Sequence, residues 1–103
     1  MLLLDYVANK GLQLPREQTS DAALWARVRA AAGRVGARAT FPDTSEVGII
    51  DDHTPFLRAG VPAVDLIDWS YQGHDVSDRL DKLSQKSVDA VGETMVELLR
   101  SWP

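Results

Sequence analysis

His53 and His74 are the two histidines of the chain, and each stands beside carboxylates: Asp51 and Asp52 precede the first, and Asp75 follows the second. Imidazole nitrogen together with carboxylate oxygen is a donor set that zinc and other borderline cations accept. Cysteine is absent, so thiolate metal sites, disulfides and thiol nucleophiles are excluded, and any metal must bind through His, Asp or Glu. His beside Asp also has a plainer reading, with His53 capping a short helix and His74 in solvent. The residues alone leave both open.

Elements must position these side chains. LLLDYVA, residues 2–8, reads as a short buried strand ending near Asp5. Gly11, Pro15 and their polar neighbours predict a loop. Thr19 or Ser20 is expected to N-cap a helix, with Asp21 set against the positive end of its dipole. Leu24, Val28 and Ala31 recur at helical spacing, Trp25 widens the apolar stripe, and Gly33 is the expected stop. ARATF, residues 37–41, predicts a short strand, and Pro42 to Ser45 a loop. HTPFLRAG predicts one or two helical turns opening at Pro55. VPAVDLID, residues 61–68, reads as a strand with Pro62 at its start, in which the period of two lets Asp65 face solvent.

Residues 69–83 form the longest irregular stretch, and therefore a functional candidate. Trp69 and Tyr71, just before His74, are its candidate substrate wall. Ser84 then caps a last helix with apolar positions Val88, Val91, Met95, Leu98, Leu99 and Trp102. Trp25 and Trp102 are expected in the core. Strands alternating with helices imply an α/β fold, a partial layered sheet with flanking helices, as a single domain over residues 1–103. Ligands collect beyond the carboxyl ends of such strands. Asp5, Asp65 and Asp68 fall on that rim, and the loop bearing His74 follows directly.

Composition narrows the partners. A formal charge of -4 and a pI near 5.0 argue against nucleic acid, which needs a basic field. The local cluster Arg27, Arg29, Arg34 and Arg38 reads as the solvated face of a helix and its exit loop. MLLLDYV is too short to cross a bilayer and carries Asp5 where a signal peptide would continue its apolar run. No membrane partner is expected, and no compartment is assigned.

DDHTPFLRAGVPAVDLID, followed by GHDVSDRLDKLSQKSVDAVGETMVELLR, resembles the C-terminal part of the co-catalytic zinc aminopeptidase family, which also contains the glutaminyl cyclases. The opening LLLDYVANKGLQLPREQ resembles that family's strand ending in Asp and a hydrophobic residue. The resemblance implies a zinc-dependent exopeptidase fold, zinc as cofactor and a peptide substrate. It places Asp5 and His74 at the metal, with Asp52, His53 and Asp78 as the groups that orient the ligands.

Two departures stand out. Asp75 replaces a usual Thr, adding a negative charge, and Gly73 replaces the Trp of many members, cyclases included. The family's H-x-D motif, bridging Asp and Glu-Glu pair lie upstream of the strand matched by residues 2–7, so no catalytic base is assigned. The resemblance implies the C-terminal portion of an aminopeptidase-like hydrolase, with a glutaminyl cyclase as the alternative made weaker by Gly73. A reading of another class is an inert α/β module whose exposed sheet edge pairs with a second copy or with an upstream domain.

Overall fold

The computed structural model describes residues 1–71 and 73–103. Seven regular elements follow in the order β1 (Leu2–Asp5), β2 (Arg16–Glu17), α1 (Ala22–Arg34), β3 (Ser45–Glu46), α2 (Thr54–Arg58), β4 (Val64–Ile67) and α3 (Gln85–Arg100), with single 3-10 turns at Arg38–Thr40 and Leu80–Lys82. Both sheets are parallel pairs. β1 lies beside β4, matching Leu2 to Val64 and Asp5 to Ile67, and β2 lies beside β3. This is the small α/β arrangement that alternating strands and helices imply.

The two strands of the larger pair differ in burial. All four residues of β4 are buried, whereas Leu4 of β1 is half exposed; the continuous apolar run 2–8 therefore overstated the burial of β1. Val64 and Leu66 join the core, together with Leu24, Trp25 and Val28 of α1 and Val91 and Leu98 of α3. Asp65 points the other way. That face is covered too, and Asp65 is fully buried instead of solvated, because the residues leading into α2 close over it.

Helix α1 begins one residue later than expected. Asp21 is its cap, its Oδ1 accepting the Leu24 N–H at 2.7 Å. Thr19 and Ser20 are unavailable because their hydroxyls bond Glu17. The helix also runs through Gly33. It ends at Gly36, whose φ of +76° supplies the left-handed turn that lets Ala37 N–H reach the Ala32 carbonyl at 2.8 Å. Residues 38–40 then form a 3-10 turn where a strand was expected. This turn drops Phe41 into the core against Trp25, with ring centroids 6.1 Å apart, while Thr40 accepts the Leu14 N–H.

The buried stripe of α3 is Ser87, Val91, Thr94 and Leu98. Val88 and Leu99 face solvent, and Trp102 lies beyond the helix, half exposed under the Arg27 guanidinium at 4.1 Å. Two hydroxyls enter the stripe because each finds a carbonyl: Ser87 Oγ reaches Asn9 and Thr94 Oγ1 reaches Ala90, both at 2.7 Å. The arginines are less free than a solvated face implies. Arg29 donates to the Phe41 carbonyl, and Arg34 ties α1 to Glu97 of α3 at 2.6 Å.

Candidate active site

β1 ends at Asp5, and the chain turns sharply at the next residue. Tyr6 has φ +49°, the left-handed region that a side chain other than glycine occupies at a cost of roughly 1 kcal/mol. The turn sends the Tyr6 ring over the rim, edge-on to His74 at 5.3 Å and to Tyr71 at 5.9 Å. Its carbonyl accepts the Asp68 N–H, fixing the exit of β4 beside it. Asp68 is buried in that exit, where it accepts Asn9 Nδ2, the Gln13 N–H and the Ser70 hydroxyl. It shapes the loop and does not face the metal candidates.

Asp5 and His74 do come together at the rim. Burial pushes the Asp5 carboxyl up, and so do the charge of Asp51 and a hydrogen bond shared with it; the Tyr6 N–H and the His74 charge pull the other way. Such a carboxyl can take up and return a proton nearer neutrality than an ordinary aspartate. His74 is exposed. Tyr6, Trp69, Tyr71, Gly73, His74 and Asp75 enclose a pocket of about 180 Å³ beside it, so the expected aromatic wall and the expected ligand line one cavity.

The other expected residues are placed as follows. Asp78 accepts the Tyr71 hydroxyl at 2.6 Å, so it orients the wall, and this hydrogen bond with burial pushes the phenol up to about 12. Asp75 caps the turn at Ser77, whose N–H and hydroxyl hold its pKa down. The extra charge is thereby committed to loop geometry. At Gly73 an added Cβ would meet Tyr71 Cε1 at 2.5 Å. The Tyr71 ring fills the space that a larger residue at 73 would take.

The DDH run divides. Asp52, expected to orient the ligands, is exposed, and Asp51 is the residue that faces Asp5 and Asp65. His53 is fully buried, with Nε2 3.1 Å from Glu17 and Nδ1 3.5 Å from Asp65. It precedes α2 without a side-chain capping bond. Asp65 is pushed up to about 8, first by burial and then by Asp51. Sequence reasoning missed Glu17 and gave Asp51 and Asp65 no assigned role in the site. Asp51 stood in the run already singled out, and Asp65 was a carboxylate in an otherwise apolar strand.

Asp5 and His74 offer the oxygen and nitrogen donors that zinc takes, but a catalytic zinc needs three protein ligands. Among the described residues no group of three His, Asp or Glu could hold a metal ion. These residues do not fit a complete zinc site.

A parallel strand pair with acid and imidazole at its carboxyl rim is the place where open α/β sheets collect ligands. The family model for peptidase family M28 matches residues 1–99, and the chain belongs to that family. Among solved structures it is similar to a glutaminyl cyclase from an Acidobacteriales bacterium, at 32% identity and TM-score 0.89 over 96% of this chain and 37% of that one. A Fimbriiglobus ruber glutaminyl cyclase is 34% identical, TM-score 0.88, over 96% and 35%. A Zn-dependent exopeptidase from Parabacteroides distasonis shares the fold at 23% identity and TM-score 0.83, over 97% and 38%. The chain thus spans little more than a third of the length of these proteins. No curated protein matches it.

Proposed function

We propose that this chain forms the Asp5 and His74 side of an M28 active site that works on the N-terminal residue of a peptide, with zinc as cofactor, and that the reaction is glutaminyl cyclisation. The observation that carries this reading is the rim itself: Asp5, facing Asp51 and His74, opens beside a small pocket walled by Trp69 and Tyr71. Cyclisation joins the α-amine nitrogen to the γ-carboxamide carbon and expels ammonia, so a proton must pass from the attacking to the leaving nitrogen. Asp51, which faces Asp5 without being placed at the metal, is the carboxylate positioned to hold that proton.

The family also supports aminopeptidase action, in which water is the nucleophile. Two observations favour cyclisation. Two glutaminyl cyclases share 32% and 34% identity with this chain. The missing Trp at position 73, which had counted against a cyclase, is offset by Tyr71 occupying that space. The test uses the product of the complete reading frame, assayed for ammonia release from a glutaminyl peptide and for hydrolysis of a leucyl anilide. Ammonia release abolished together with bound zinc in His74→Ala is the expected result. Anilide hydrolysis alone selects the peptidase, and neither activity leaves the inert module.

A further inference from the structure

Behind the rim lies a closed polar chain that the proposed reaction does not use. Glu17, His53 and Asp65 are each fully buried. Glu17 Oε1 accepts the N–H groups of Thr19 at 3.0 Å and Ile49 at 2.9 Å, while Oε2 accepts the hydroxyls of Ser20 and Thr19. Burial pushes the Glu17 pKa up, but those two N–H bonds and the hydroxyls bring it below its ordinary value. Glu17 is a carboxylate and can only accept.

His53 Nε2 lies 3.1 Å from Glu17 Oε2 and 3.0 Å from Thr19 Oγ1, whose own proton points to Glu17. Both neighbours of Nε2 are acceptors, so Nε2 must carry the ring proton. In the neutral ring Nδ1 is then bare, 3.5 Å from Asp65 Oδ2. Among the described residues neither Nδ1 nor either Asp65 oxygen has a hydrogen-bond partner. The groups acting on Asp65 are the carboxylates Asp51, which lies near enough to share a proton with it, Asp5 and Glu17. They do not converge as a cation site. A buried carboxylate among carboxylates with no donor is strongly disfavoured, whereas a neutral acid can turn its proton toward the bare nitrogen.

We propose that Glu17 and His53 are positioning residues: Glu17 fixes the His53 proton on Nε2, and the bare Nδ1 so presented holds Asp65 as a neutral acid behind Asp51 and Asp5. The inference rests on the proposed function only for what Asp51 and Asp5 then do. Long-range proton–nitrogen correlation spectra of the histidine-labelled protein at pH 7 read the tautomer directly, with His74→Ala assigning the two rings. The parent is expected to show His53 protonated at Nε2 alone.

In Glu17→Gln the two backbone N–H groups keep an oxygen at Oε1, so the amide nitrogen takes the other position and donates to Nε2. The His53 proton then moves to Nδ1, and the tautomer inverts. Asp65→Asn, whose amide donates to Nδ1 as the acid does, keeps the Nε2–H form and a melting temperature within a few degrees of the parent. A doubly protonated or Nδ1-protonated His53 in the parent overturns the proposal, as does an Asp65→Asn protein without the Nε2–H form, or a folded Glu17→Gln protein that keeps it. The parent spectrum and Asp65→Asn decide the matter if Glu17→Gln does not fold. In the turnover assay Glu17→Gln should lower kcat roughly tenfold with KM unchanged. The tautomer is read without turnover, so failure there counts against the relay alone, and absence of turnover in the parent counts against the proposed activity alone.

Discussion

Glu46→Gln should make the protein more stable above neutral pH and change it little at pH 4. Glu46 sits in β3 opposite Glu17 of β2, and its Oε1 is buried without a hydrogen-bond partner among the described residues. Burial, followed by the charges of Asp68 and Glu17, pushes its pKa from 4.5 to about 7. Because the folded pKa lies above the unfolded one, the native state binds the extra proton between those values. The stability this confers is complete below pH 4.5 and is lost as pH rises through 7.

About two and a half units correspond to at most roughly 3 kcal/mol at 1.36 kcal/mol per unit. Glu46 is partly exposed, and solvent screening reduces the figure to about 1 to 2 kcal/mol. Glutamine cannot ionise and removes this pH dependence. Urea unfolding of both proteins from pH 4 to 9 measures it. The difference between them isolates Glu46 from Asp65 and Asp5, whose raised pKa values act in the same direction in both. Parallel stability curves would refute the assignment.

Phe41→Ala removes a fully buried ring from beside Trp25 and should cost about 3 to 5 kcal/mol in denaturant unfolding, a large share of a small domain's stability. Asp21→Ala deletes the bond to Leu24 N–H and should cost about 1 kcal/mol, with Asp21→Asn largely restoring it in thermal melts. Arg34→Ala breaks a short but solvent-exposed pair with Glu97; unfolding should change by less than about 1 kcal/mol, and less still in high salt.

What was legible in the sequence was whatever local chemistry decides. The Ser84 cap of α3, Pro55 at the opening of α2 and the apolar strand after Pro62 all form where their residues predict. The misplacements share a cause in polar groups that bond across the fold. Ser20 reads as a cap from its own segment, but its hydroxyl serves Glu17 and the Asp65 N–H. Ser87 and Thr94 read as polar, yet each buries its hydroxyl against a carbonyl and turns α3 away from the stripe that hydropathy alone selects.

The candidate site was legible in the same uneven way. Asp5, His74, Trp69 and Tyr71 were singled out by type and position; His74, Trp69 and Tyr71 line one pocket, and Asp5 lies near His74. Glu17 carried no such mark. It falls in a segment that reads as a polar loop, and its importance comes from residues 19, 20, 49 and 53 converging on it. Asp65 was misjudged because alternation along a strand distinguishes two faces without saying whether the second is covered.

The pairing of β1 with β4 bears on how the chain reaches this fold. Leu2 finds its partner at Val64, and Asp5 at Ile67, so the larger parallel pair closes across more than half the sequence. α1 can form from its own contacts, but the rim cannot assemble until β4 arrives, and closing so long a loop sets the entropic barrier. During synthesis β1 emerges well before its β4 partner. Substitutions that weaken β4 should therefore slow folding more than equal damage to α3, and should raise the fraction of newly made chains lost to aggregation.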